Sequence, residues 1–197
     1  MKFRLALCAV ALLAPAIARA QIAIPVTADN FNRAETDMYF AMFAKKGGFG
    51  KFFHLRELPL EGTGVRPNRD TLYSEAVFDL DAGPVRITLP KMVNRFMSMI
   101  VINEDHYVYE VDYTPGNYNF TRGEVGTRYV FMALRILVDP ANPKDIKEAH
   151  ALQDAVIVRQ RSPGKRYGQP EEDARRVADD EYDAARPATC VRQSGAG

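Results

Sequence analysis

Two short stretches carry the side chains from which a reactive site would be built. The first, NEDHYVYEVD, sets Glu104, Asp105 and His106 side by side and follows them with Glu110 and Asp112. An imidazole beside a carboxylate is an acid–base pair, and with further carboxylates it is part of a divalent-metal site. The second, RPNRDTLYS, places Arg66 and Arg69 around Asp70, Tyr73 and Ser74. There a guanidinium can clamp an anion, with Asp70 as base and Tyr73 or Ser74 as ligand contacts.

Spacing weighs against catalysis in both. An alternating strand over HYVYEVDY puts His106 on one face with Val108, Glu110 and Asp112, yet separates His106 from Glu110 by ~13 Å at strand rise. A third metal ligand would have to come from His54, in an irregular loop, or His150, on a helical pattern. Each is read as a structural or surface histidine. In RPNRDTLYS no nucleophile–base spacing occurs. Pro67 holds Arg66 extended, Asn68 and Asp70 are turn formers that bond nearby amides, and Thr71 enters a strand. That stretch reads as a hydrogen-bonded corner at the lip of a pocket.

The candidate ligand-binding residues are therefore Arg69, Asp70, Tyr73, Asp105 and His106, with no catalytic residue, metal or cofactor assigned. The alternative is a hydrolase- or lyase-type enzyme using His106 with Asp105 or Glu104, aided by Arg69. A glycine-rich phosphate loop, a GxSxG elbow and an HExxH pair are all missing from the sequence. Tyr107, Tyr109, Tyr113 and Tyr118 form an aromatic stripe, read as edge packing or, as a second option, a surface for sugars or aromatic ligands.

The elements that would position these residues follow from periodicity. TADNFNRAETDMYFAMFAKKGG repeats Phe31, Ala34, Met38 and Met42 at helical spacing, with Tyr39, Phe40 and Phe43 broadening the apolar face towards a sheet, Thr27 or Asp29 as cap and Gly47-Gly48 as stop. From Asp70 the period becomes two. EAVFDL and PVRITL, joined by Asp81-Ala82-Gly83, predict a β-hairpin with Ala76, Phe78, Leu80, Val85, Ile87 and Leu89 inward. FMSMIVIN is apolar on both faces, as in a strand covered on both sides. Further strands are predicted around Tyr118–Phe120 and over TRYVFMALRIL. Asn142 caps a helix with Pro143 at its first position and an apolar stripe of Ile146, Ala149, Leu152 and Val156. The fold class expected is α+β, mainly β: an antiparallel β-sandwich or jelly-roll-like domain with flanking helices.

The N-terminus, MKFRLALCAVALLAPAIARAQ, has a basic start, a short apolar run and small residues at Ala18 and Ala20, the layout of a secretory signal cleaved after Ala20. The run is shorter than the ~20 apolar residues a membrane span needs. An exported, periplasmic protein with no stable span is expected. Without residues 1–20 the charge balance is 23 basic to 25 acidic residues. That leaves no overall electrostatic footprint for nucleic acid or for an anionic membrane. Cys190 is then the single cysteine, so an intramolecular disulfide is ruled out. Residues 162–197 contain no Leu, Ile, Phe or Met and are dense in Arg, Asp, Glu and Ala. They read as a disordered or aberrant charged tail. The expected organisation is a signal peptide (1–20), a β-rich domain (21–161) and that tail (162–197).

The runs PNRDTLYSEAVFDLDAGPVRITLP, RFMSMIVINEDHY and GTRYVFMALRILVDPANPKDIKEAHALQDAV together resemble the domain-of-unknown-function family 1254, over roughly residues 27–160. The resemblance implies an exported or envelope-associated protein of mostly β structure and brings no agreed activity. Members of that family are often followed by a second β domain, family 1214. Its loss here would leave an incomplete unit, expected to self-associate.

Overall fold

The computed structural model describes residues 25–58, 68–165 and 167. The signal sequence, Arg66, Pro67, Cys190 and nearly all of the charged tail lie outside the described residues. Among the described residues eight strands, β1 (Phe53–His54), β2 (Thr71–Asp79), β3 (Val85–Leu89), β4 (Met97–Asn103), β5 (Val108–Asp112), β6 (Gly116–Phe120), β7 (Tyr129–Leu137) and β8 (Ile157–Arg159), form two sheets. One has the order β1-β2-β7-β4-β5 and the other β6-β3-β8, with every strand pair antiparallel. Helices α1 (Phe31–Phe43), α2 (Arg122–Val125) and α3 (Pro143–Asp154) flank them. The mainly-β, two-sheet architecture expected from the sequence is the one observed.

The period-two pattern decides what faces inward. Leu72, Ala76 and Phe78 of β2, Met97, Met99 and Val101 of β4, and Val130, Met132, Leu134 and Ile136 of β7 share one face of the larger sheet. They pack in one buried cluster with Val85, Ile87, Leu89 and Phe120 of the smaller sheet and Ala149 of α3. The opposite face of the larger sheet is also covered. Phe40 and Ala44 lie over Val77, Tyr129, Phe131 and Ala133, and Phe43 stacks on Phe131 at 4.6 Å between ring centres. This two-sided burial explains why FMSMIVIN is apolar throughout.

Helix α3 forms as its sequence dictates. The Asn142 side chain accepts from the amides of Lys144 and Asp145, and Pro143 takes the first position. Arg95, just before β4, pairs with Asp145 and holds its carboxyl down to about 2. Helix α1 forms where expected and packs on the sheet through Phe40 and Phe43 rather than through the Phe31–Met42 row. Thr36 and Phe40 are buried, whereas Phe31, Met38 and Met42 are exposed. Its sequence is apolar on most sides, so spacing alone did not select the contact face, and the shape of the sheet around Phe131 did. Neither expected cap is used: Asn30 is the N-cap residue, and its side chain accepts from the Thr27 amide.

The predicted hairpin is corrected. β2 and β3 do not pair with each other; the chain changes sheets at a short 3-10 turn, Leu80–Ala82. Asp79, almost fully buried, caps that turn by accepting from the Asp81 amide. Gly83 then redirects the chain at φ 116°, a left-handed value that favours glycine. The same carboxylate accepts from Arg128 Nε at 3.0 Å and Nη2 at 2.9 Å, and from the Lys165 amide at 3.0 Å. Tyr167 packs edge-on against Tyr129, and its hydroxyl meets Asp37. The packed body thus continues past residue 161, as far as Tyr167.

Asp79→Asn removes the buried carboxylate that accepts twice from Arg128 and leaves that guanidinium its longer contact with Asp81 at 3.4 Å. The loss of charged hydrogen bonds is expected to cost about 1.5–3 kcal/mol in urea unfolding. A loss below ~1 kcal/mol would mean that the corner is held by packing alone.

Candidate functional site

The residues singled out for chemistry fall into two groups at opposite ends of the larger sheet. Thr71 starts β2 beside Leu137, while Asn103 ends β4 beside Val130 and, across β7, Phe78. Six residues of strand, ~20 Å, separate the level of Leu72 from that of Phe78. Arg69 and Asp70 therefore sit far from Asp105 and His106, and no cleft joins all four.

At the first end, Asn68 is the turn former: its side-chain oxygen accepts from the Asp70 amide at 2.8 Å. The Asp70 carbonyl takes the Val138 amide, and its exposed carboxylate makes no hydrogen bond among the described residues. Tyr73 is half-buried on the outer face, with the Arg135 guanidinium 5.5 Å from its ring centre. The corner is present, built by Asn68 rather than by Asp70.

At the second end, His106 is not on a strand. It lies in the turn between β4 and β5 with φ 66°. Asn103 Oδ1 organises that turn by accepting from the amides of Asp105 and Tyr107. Helix α1 then engages the turn. Arg33 pairs with Asp105 at 2.7 Å, and Thr36 Oγ1 meets His106 Nδ1 at 2.7 Å. The Thr36 hydroxyl already donates to the Asn32 carbonyl, so it accepts from His106, which places a proton on Nδ1. Glu104 is buried; its carboxylate accepts from the Tyr129 amide at 2.9 Å, and its own amide donates to Thr127. The three adjacent polar residues thus point to three different partners.

Two further constellations were not visible in the sequence. In the first, β1 pairs His54 with Ser74, and His54 Nδ1 lies 2.8 Å from Ser74 Oγ. Gln153, fully buried on α3, donates to the carbonyls of Leu55 and Tyr73 and lies 3.2 Å from Ser74 Oγ. Its oxygen accepts from Arg56, whose other nitrogen pairs with Asp154, while His150 Nε2 donates to the Arg56 carbonyl. Burial first, then the Arg56 charge, lowers the His54 pKa, so the imidazole is neutral at pH 7. A serine hydroxyl beside a neutral imidazole resembles a nucleophile and base, but Ser74 is only 1% exposed. No substrate reaches it, and the network's work is to fasten α3 to β1 and β2. The one local signal was Gln153 itself, four residues after Ala149 on the buried stripe.

In the second, Glu110 and Asp112 point to the inner side, level with Val101 and Met99, on the edge strand β5. Burial raises both carboxyls, and the neighbouring Asp112 charge raises Glu110 further. Among the described residues no group of three or more His, Cys, Asp or Glu has the arrangement of a metal site.

Residues 49–112 match the family described as "Protein of unknown function (DUF1254)". The resemblance read from the sequence holds over that segment, which starts six residues after α1 and runs through β5. None of the curated proteins matches the chain. Among solved structures, it is similar to the VPA0106 protein of Vibrio parahaemolyticus, at 20% identity and a TM-score of 0.53. That likeness covers 72% of this chain and 41% of the other, so the chain spans about two fifths of its length. It is a likeness of fold. Among the described residues no helix is long and apolar enough to cross a membrane.

The carboxyl pair sets a pH dependence. A carboxyl whose folded pKa is raised contributes stability below its unfolded pKa and loses it as pH rises through the folded value. Glu110→Gln should therefore raise the melting temperature at neutral pH, and should shrink the gain that the native chain shows between about pH 7 and pH 5. Melting curves of the two proteins at both values would check this; parallel curves would contradict it.

Proposed function

We propose that the protein is an exported module for ligand binding or envelope assembly that carries out no catalysis of its own. The observation that supports this reading most is the engagement of Glu104, Asp105 and His106. Glu104 accepts from the Tyr129 amide, Asp105 pairs with Arg33, and His106 bonds Thr36, so each is tied into the frame of the fold. Arg69 lies at the far end of the sheet from them. Residues of catalytic type here hold a turn against a helix.

The assembly part of the reading rests on β5. It is an edge strand whose backbone pairs on one side only, and Tyr107, Tyr109, Val111 and Tyr113 are exposed along it. The inward-pointing Glu110 and Asp112 are the kind of charge that blunts backbone pairing at an edge, so it is the exposed tyrosine row that offers contact area. A second copy of the chain, or a further β domain, fits such a surface.

His106→Ala is expected to lower stability by about 0.5–1.5 kcal/mol through the lost Thr36 bond. It should leave no hydrolase or lyase activity missing in an assay of model esters, amides and glycosides. An activity abolished by His106→Ala, with melting unchanged, would establish the enzymatic alternative. Export has its own test. Intact-mass analysis of the periplasmic fraction should give a chain starting at Gln21, whereas a protein that keeps Met1 in the membrane fraction would overturn the compartment.

A further inference from the structure

The outer face of the smaller sheet carries a cluster of positive charge. Arg86 on β3 lies directly opposite Arg159 on β8, and on its other side Arg86 lies opposite Asn119 on β6. Inward neighbours confirm the facing: Ile87 and Val158 pack on the core, so Arg86 and Arg159 project outward from alternate positions. Arg161 follows two residues after Arg159. Together with Asn119 and Gln160 these three arginines line a shallow open groove of about 510 Å³.

Like charges directly opposite in an antiparallel pair are destabilising. Five other arginines of this fold are neutralised, Arg33 by Asp105, Arg56 by Asp154, Arg95 by Asp145, Arg122 by Asp81 and Arg128 by Asp79, and Arg135 lies over the Tyr73 ring. Arg86, Arg159 and Arg161 are exposed, and no described residue supplies a hydrogen bond or ion pair to any of their guanidiniums. Gln160 cannot turn its amide donors towards the groove, because both are committed to the carbonyls of Asp79 and Gly83. Among the described residues the groove therefore offers guanidinium donors, the Asn119 amide and no carboxylate, with the Gln160 oxygen as a neutral acceptor. Forked guanidiniums in register suit an acceptor with several charged oxygens, which a single carboxylate fills incompletely.

We infer that the groove formed by Arg86, Arg159 and Arg161 binds a tetrahedral oxyanion of the phosphate type, free or carried on a lipid headgroup. This site stands apart from the turn and the corner discussed above and does not depend on export or on the absence of catalysis. Bound phosphate removes the repulsion between Arg86 and Arg159 as well as making new bonds. Its signature is thus a rise in melting temperature larger than that given by chloride at equal ionic strength.

The test uses the mature chain and three variants, Arg86→Ala, Arg159→Ala and Arg161→Ala, all at exposed positions. Calorimetric titration with inorganic phosphate and sedimentation with phosphatidylglycerol vesicles form its two arms. Saturable binding in the phosphate arm identifies a free anion, and binding in the vesicle arm alone identifies a lipid headgroup. In either case each variant should weaken binding by about tenfold and abolish the excess melting shift. Binding in neither arm would overturn the inference, as would affinity undiminished in all three variants.

Discussion

A carboxylate buried at the point where the chain leaves one sheet for the other organises this fold. Asp79 is 2% exposed at its side chain, a position where an unpaired charge would be very costly. It is satisfied by four donors: two from Arg128 and the amides of Asp81 and Lys165. Those donors belong to the start of β7, the sheet-switching turn and the C-terminal segment. One group therefore fixes the relative position of three parts of the chain that are far apart in sequence. The Arg128 guanidinium also lies 4.8 Å from the ring centre of Tyr129, so its charge is covered on a further side. Gly164 passes so close that a Cβ there would come within 2.7 Å of Asp79 Cβ.

The arrangement of polar chemistry follows from that frame. With β7 fixed at Tyr129, its amide meets Glu104, and the turn carrying Asp105 and His106 is held beneath α1. The Arg69–Tyr73 corner starts the neighbouring strand at the other end. A single sheet thus keeps the two candidate stretches apart, and the side chains that look reactive in sequence become its fasteners. The arginines of the smaller sheet differ in having no such internal partner.

What the sequence made legible was local. Asn142-Pro143 and the stripe through Ile146 and Ala149 define α3 because cap, first residue and buried face all lie within one segment. Alternation in VRITL and the doubly apolar FMSMIVIN gave strands and their inward residues. The features that were hidden depend on distant partners. The apparent hairpin at Asp81-Ala82-Gly83 is a sheet switch, since Asp79 is claimed by Arg128 and Lys165. Helix α1 has apolar residues on most sides, so its contact face is selected by Phe131 and Tyr167. The His54–Ser74–Gln153 network, and the opposition of Arg86 and Arg159, require strand pairings that no local pattern announces.

The central claim is that the Asp79 carboxylate joins these segments into one cooperative unit, and amide hydrogen exchange tests it most directly. The amides of Asp81 and Lys165 lie in irregular segments outside any strand ladder, and both donate to Asp79. If the account is right, they exchange only with global unfolding, at rates matching the core amides of β7. Exchange of either at the rate of a freely exposed loop amide would contradict it.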